Sequence, residues 1–427
     1  MNQKKQNSSV PAIIVCILLF GMISFVTNLA SPMGDVLKNQ FSVPNWMGTL
    51  GVFANFIAYA CMGIPAGNML QKKGYKFTAL AAVAVGFVGV GIQTLSGVAE
   101  SFAIYLLGAF VAGFSMCMLN VVVNPLLNKL GGGGNKGNQL VQVGGSFNSL
   151  MGTAVIFLSG IFVPNIVEAK ISQVFPLMAI ALAIFAVAFV VIALTKIPEN
   201  KPEAAAKAEK SKYGPMSFRH FILGSVAIFV YVGIEVGIPN VLQKWLQNGG
   251  LSVESGAEAI ASTVAATYWL LMLVGRLVGA AIGSKVSAKA MLSTVSTVGL
   301  VLVLCAIFLN PANTVNLPVF MGTAGFGIAE VPVNAALLVI CGLCTSVMWG
   351  GIFNLAVEGL GKYTEKASGI FMALVCGGGI LPLLQNAVVD AAGSYLVSYW
   401  VIIAALAYLL YYALVGCKNV NKDIPTE

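Results

Sequence analysis

Glu235 and Arg276 are ionisable side chains set in otherwise apolar sequence, in Tyr-Val-Gly-Ile-Glu-Val-Gly-Ile-Pro at 231–239 and in Gly-Arg-Leu-Val-Gly at 275–279. A carboxylate so placed can exchange a proton, accept hydrogen bonds from hydroxyls or lend charge to a cation. In a membrane segment it marks a pathway or coupling site, the alternative being an acid buried in its neutral form. Amides and aromatic rings recur in similar surroundings: Asn28, Asn55, Tyr59, Asn120, Asn124, Gln142 and Asn148 in the first half, then Tyr231, Tyr268, Trp269, Trp349, Phe353, Asn354 and Gln385 in the second. Each amide alone reads equally well as polar glue between helices in lipid. As a set, with almost no charge, they suit a neutral polyhydroxy ligand that hydrogen-bonds through hydroxyls and stacks its ring face. A hydrophobic drug needs fewer amides, and a charged metabolite needs a cationic partner at mid-membrane. The candidate ligand residues are Asn28, Asn120, Asn124, Asn148, Glu235, Trp269, Asn354 and Gln385, and Glu235 is the coupling candidate, for a proton or a sodium ion.

Enzyme chemistry finds little to work with. The chain has one histidine, His220, and its aspartates are Asp35, Asp390 and Asp423; there is no His-Glu-x-x-His, and Gly131–Gly134 is not followed by Gly-Lys-Ser/Thr at phosphate-loop spacing. No acids, nucleophile and base converge as a membrane-embedded transferase or protease requires. Transport, channel formation or a structural role remain, with no cofactor and no resident metal expected. The Cys341/Cys344 spacing matches a redox or metal pair in soluble proteins, but on an apolar helix two thiols one turn apart read as packing surface.

The elements that must position these residues are membrane helices. With 58% apolar and 9% charged residues and a mean hydropathy of +0.90, most of the chain is no water-soluble globule. Twelve apolar stretches approach the ~20 residues that cross a bilayer: 10–29, 46–70, 78–95, 102–126, 140–163, 177–194, 221–242, 259–282, 290–309, 335–357, 369–389 and 397–415. The first is too long for a secretory signal and lacks a small-residue cleavage site, so it is kept as a span. Placing the N-terminus inside puts all of the 23 Lys and Arg in the cytoplasm except Lys38, Lys170, Lys244 and the intramembrane Arg276. The net charge of +8 is therefore topological, no nucleic-acid partner is implied, and the C-terminus returns to the cytoplasm. Residues 196–219, rich in Pro, Ala, Lys and Glu, read as a solvated linker between a six-helix bundle at 1–195 and another at 220–427. Pro311–Val333 reads as an extracytoplasmic flap, with a re-entrant piece as the alternative, and in a flap Glu330 is a solvated charge.

The halves echo each other. Asn124, Leu130-Gly131 and Lys136 recur 230 residues later as Asn354, Leu360-Gly361 and Lys366, each set followed by a small-residue helix. Such a duplication suggests pseudo-symmetric bundles with working parts where the copies face each other. Lys136, Lys366, Gly378 and Arg276 are the gating candidates, since glycines such as Gly144, Gly145 and Gly377–Gly379 permit the close helix approach that rocking needs. Counting ~1.5 Å per residue from the cytoplasmic ends places Glu235 ~21 Å deep and Arg276 ~9 Å deep, so they are not expected to pair directly.

Six motifs carry a resemblance over nearly the whole chain: GIPAGNMLQKKGYK at 63–76, NPLLNKLG at 124–131, SFNSL at 146–150, YVGIEV at 231–236, MLVGRLVGA at 272–280 and the run at 359–385. They resemble the fucose/proton symporter family of the major facilitator superfamily, which also holds glucose/galactose and N-acetylglucosamine transporters. The resemblance implies an all-α membrane protein of twelve transmembrane helices in two six-helix bundles, a central sugar site and alternating access. It implies a monomeric sugar permease of the cytoplasmic membrane, with a monosaccharide and the lipid bilayer as partners. The departures are specific. Asn28 and Asn120 stand where the fucose permeases have an Asp and a Glu linked to coupling, Gln71 where the superfamily usually has Asp, and Gly145 where relatives have Gln; Glu235 fits the hexose-transporting branch. Transport is thus either secondary-active or facilitative; an exporter of amphipathic drugs or lipids and a non-transporting sensor are the other readings.

Overall fold

A computed structural model of the chain describes residues 10–40, 50–162, 170–199, 213–251, 257–320 and 325–426. Most of the expected linker, at 200–212, and the ends of the second and fifth spans, at 46–49 and 163, lie outside the described residues. In hydrocarbon every backbone donor and acceptor must be met within the segment, so apolar runs of this length fold as helices. They are α1 (Val10–Gln40), α2 (Leu50–Val98), α3 (Phe102–Leu130), α4 (Gly134–Phe162), α5 (Ile171–Leu194), α6 (Arg219–Trp245), α7 (Ala257–Ile282), α8 (Ala288–Phe308), α9 (Val333–Thr345), α10 (Met348–Val357), α11 (Thr364–Ala373), α12 (Gly377–Ala392) and α13 (Trp400–Tyr411). Among the described residues ten segments are long and apolar enough to cross a membrane. One of them, Phe53–Val98, is about 70 Å long at ~1.5 Å per residue, enough for two crossings. α4, with 29 residues, is long enough for one more.

Short helices arise where a span breaks. α9 and α10 divide one expected span at Ser346-Val347, and α11 and α12 divide another at a 3-10 turn, Leu374–Cys376. α2 runs through the expected loop at 71–77 and bends at Gly74, whose φ of 83° favours glycine. The bend frees backbone donors, and Glu199 accepts from the N–H of Tyr75 at 2.7 Å and of Lys76 at 2.8 Å. The segment read as a flap contains two paired strands, β1 (Thr314–Phe320) antiparallel to β2 (Phe326–Pro332), with Asn316 opposite Glu330; residues 321–324 between them lie outside the described residues. Glu330 is exposed there, and Thr314 Oγ1 donates to its Oε2 at 3.5 Å.

The chain forms two compact units, one of Met1–Ile222, Val357–Cys376 and Asn419–Glu427, the other of Leu223–Ala356 and Gly377–Lys418. In the first, α3 is buried continuously from Ser115 to Leu127, as a helix enclosed by others must be. Small residues let its neighbours close in: a Cβ on Gly89 would lie 2.5 Å from the backbone of Ala112, and one on Gly63 2.5 Å from the backbone of Ala373 in α11. Ser368 Oγ in α11 donates to the Val121 carbonyl of α3 at 3.1 Å. In the second unit Gly342 of α9 abuts Tyr268 of α7, and Asn334 Nδ2 donates to the Ala306 and Leu309 carbonyls at 2.8 and 2.9 Å, closing the end of α8.

Candidate functional site

In the second unit Arg276 Nη2 donates to Glu235 Oε1 at 3.2 Å, joining α7 to α6. This corrects the expectation that the two charges stand apart. The depth count compared Cα heights from helix ends assumed level, and it omitted the reach of the arginine side chain. The pair is nearly but not fully enclosed, at 10% and 14% side-chain exposure for Arg276 and Glu235. Each charge compensates the other, as a pair drawn out of water must.

Aromatic rings flank the pair. Tyr231, one turn before Glu235 on the same face of α6, is in electrostatic reach of both charges and meets Trp349 of α10 edge-on, with ring centroids 6.2 Å apart. Tyr268 of α7 shares a 2.8 Å hydrogen bond with Thr345 and sits edge-on to Trp269 at 5.6 Å. Trp269 is 38% exposed and Asn354 is buried. Gln385 is elsewhere: it is fully buried on α12 against Gly237, which lies about 200° around α6 from Glu235. Among the described residues neither of its amide atoms has a hydrogen-bond partner.

The first unit gathers amides. Asn120 Nδ2 donates to Tyr59 Oη at 2.8 Å, and Asn124 Nδ2 donates to the Asn120 carbonyl at 2.9 Å and to its Oδ1 at 3.3 Å. Asn28 and Asn148 lie along the seam of α1 and α4, not on this ladder. Asn28 Nδ2 donates within α1 to the Ser24 carbonyl at 2.8 Å and Oγ at 3.0 Å, and Asn148 Nδ2 crosses to the Phe20 carbonyl at 2.8 Å. Of the gating candidates, Lys136 and Lys366 are exposed and Gly378 is buried in the first turn of α12. A further cluster escaped the sequence reading: Tyr75 Oη donates to Glu365 Oε1 at 3.0 Å and Lys129 lies 5.5 Å from the Tyr75 ring centre. An apolar groove of about 430 Å³ between α1, α4 and α5, lined by Val15, Leu18, Phe147, Met151, Ile184 and Val187 among others, offers hydroxyls nothing to bond. Among the described residues no cluster suits a metal ion.

The chain matches the sequence profile of the Major Facilitator Superfamily over residues 12–382. It belongs to the major facilitator superfamily. It is 29% identical over 408 residues to a glucose/galactose transporter of Brucella abortus biovar 1 (strain 9-941), covering 94% of this chain and 93% of that one. It is 21% identical over 414 residues to the L-fucose-proton symporter of Escherichia coli (strain K12), covering 90% and 88%. The fold is that of a superfamily transporter, FucP, in a crystal structure of its outward conformation, with a TM-score of 0.79, 19% identity and 95% and 98% of the two chains covered. The proton:xylose symporter XylE aligns at a TM-score of 0.72 and 12% identity, over 97% and 98%.

Within this superfamily fold the chain is a multi-pass membrane protein, and its charge pair and its amide ladder differ in kind. Sequence marked Glu235 and Arg276 separately and Trp349 only as one of many aromatic residues; periodicity pairs residues within each helix, and the contacts between helices come from the structure. Tyr231 and Glu235 recur at one turn on α6, and Trp349 and Phe353 do so on α10.

Proposed function

We propose that this superfamily member carries a neutral monosaccharide, a hexose, deoxyhexose or N-acetylated sugar, across the cytoplasmic membrane by alternating access. The observation that carries the reading is the self-compensated pair of Glu235 and Arg276 beside Tyr231 and Trp349. A carboxylate and a guanidinium together offer acceptors and donors to hydroxyls, and aromatic faces offer a surface to a sugar ring. Their mutual neutralisation disfavours a charged ligand, which would have to displace one partner. The relatives named as glucose/galactose transporter and L-fucose-proton symporter support the same substrate class. In the proposed arrangement the termini are cytoplasmic, the halves 1–195 and 220–427 rock as bundles tied by the linker at 196–219, and the working form is a monomer that catalyses no covalent chemistry. Trp269 adds a candidate stacking position in the second unit, and Asn120 and Asn124 are hydrogen-bonding candidates of the first. Counterflow in proteoliposomes over a panel of neutral hexoses, deoxyhexoses and N-acetylated sugars tests the reading. Exchange of at least one neutral sugar is expected; movement of amphipathic drugs or lipids with no sugar exchange overturns it.

A further inference from the structure

The chain passes between its two compact units at four places, 222–223, 356–357, 376–377 and 418–419. Three of these crossings are fastened to one another inside the first unit. Asn421 Oδ1 accepts from the N–H of Arg219 at 3.0 Å, meeting one of the donors that the first turn of α6 leaves open. His220 Nε2 donates to the Glu358 carbonyl at 3.0 Å, and the N–H of Lys362 donates to the Thr426 carbonyl at 3.0 Å. Ile424, between Asn421 and Thr426 in the chain, is buried. Residues 419–426 thus run as a strap between the start of α6 and the loop 358–363 that joins α10 to α11. The loop is shaped to receive it: Gly359 and Gly361 have φ of 72° and 50°, and a Cβ on Gly361 would overlap the Thr426 carbonyl. In the first-half copy of this hinge Gly131 meets the backbone of Gly137 in the adjoining α4, so the strap fills a place that the other half fills from within. It is held chiefly by the bonds to Arg219 and Lys362 and by one apolar side chain, which sets it among the segments that open most readily.

We propose that residues 419–426 form a strap that restrains the transport cycle, binding the α10–α11 loop and the start of α6 in the conformation described and leaving the loop each time the units change their arrangement. This rests on the sugar-transport reading above. Release of the strap is part of the slow step, so the protein turns over faster without it and stops when it is fixed in place. A static brace behaves otherwise: fixing it changes nothing, and removing it costs folded protein without raising the rate.

The test uses the full chain in proteoliposomes with a neutral sugar that the parent exchanges. Lys362→Cys/Thr426→Cys sets a thiol on each side of the bond between these residues, a separation that a disulfide spans. Once oxidised, with closure of the disulfide confirmed by mass, this variant is expected to lose exchange and to regain it on reduction, while the parent, with its native cysteines and the same oxidant, is unaffected. A protein ended at Lys418 is expected to exchange saturating sugar several-fold faster than the parent. Asn421→Ala, which removes only the bond to Arg219 and serves should the shortened protein fail to fold, is expected to exchange about twofold faster, as the loss of one hydrogen bond from the restrained state allows. Parental exchange in the oxidised variant overturns the proposal while leaving sugar transport standing. So does a folded protein ended at Lys418, or Asn421→Ala, that exchanges no faster than the parent. Absence of any sugar exchange by the parent overturns the sugar-transport reading and this proposal with it.

Discussion

Asn120 and Asn124 sit one turn apart on a single helix and satisfy each other and Tyr59, whereas Glu235 and Arg276 sit on two helices and meet as opposite charges. The first arrangement is uncharged, with one bond inside α3 and one across to Tyr59 of α2. An amide lost from it leaves partners that can find other donors, and hydrogen bonds inside membranes are worth only about 0.6 kcal/mol on average. The second depends on tertiary contact, and losing one member strands the other charge in a low-dielectric interior. Two halves of similar helical design thus store their polar groups at very different energetic stakes.

Replacing Glu235 by Leu removes the carboxylate that compensates Arg276 and is expected to lower stability by about 3–5 kcal/mol, read as a fall in melting temperature. Asn124→Leu is expected to lower it by about 0.6 kcal/mol, and at most about 1.7; a larger loss at Asn124 than at Glu235 would break the contrast. Next comes a packing change in the first unit. Gly369 of α11 lies so close to Gly63 and Gly67 of α2 that Gly369→Leu should cost about 1–3 kcal/mol or more and reduce the folded yield in the membrane, measured by size-exclusion fluorescence.

Smaller effects separate binding from packing. Trp349→Leu, at the aromatic edge of the charge pair, should weaken sugar binding about tenfold, a 1.4 kcal/mol change, with little effect on melting; binding measured by calorimetry would show it. Gln385→Leu is the smallest. Its amide has no hydrogen-bond partner among the described residues, in a fully buried position away from Glu235, so a near-isosteric apolar side chain should leave stability unchanged or raise it. A loss of sugar binding in Gln385→Leu would move that amide into the site.

The twelve crossings were legible because hydrocarbon imposes length and polarity on each, and the motif at 63–76 already held Gly74, where α2 bends. Asn120 and Asn124 were marked as separate ligand candidates, and their one-turn spacing is what lets them form the ladder. What sequence left out depends on contacts between distant residues. Tyr75 and Glu365 lie 290 residues apart, and Glu199 reaches the bend in α2 from beyond α5. The charge pair was misjudged because a count along two helices says nothing of side-chain reach. Gln385 was grouped with Glu235 on residue type alone, although they lie on opposite sides of α6. The break after Thr345 carries no proline, and the one after Ala373 leads into the glycine run Gly377–Gly379.

Entrance counterflow of a labelled neutral hexose, with charged sugars as competitors, tests the central claim most directly, that a self-compensated polar centre in the second unit serves a neutral sugar. Unlabelled neutral hexoses are expected to compete with the label, while the corresponding uronic acid and amino sugar, at equal concentration and neutral pH, are expected to leave exchange unchanged. Competition by a charged sugar equal to that by its neutral counterpart would contradict the account.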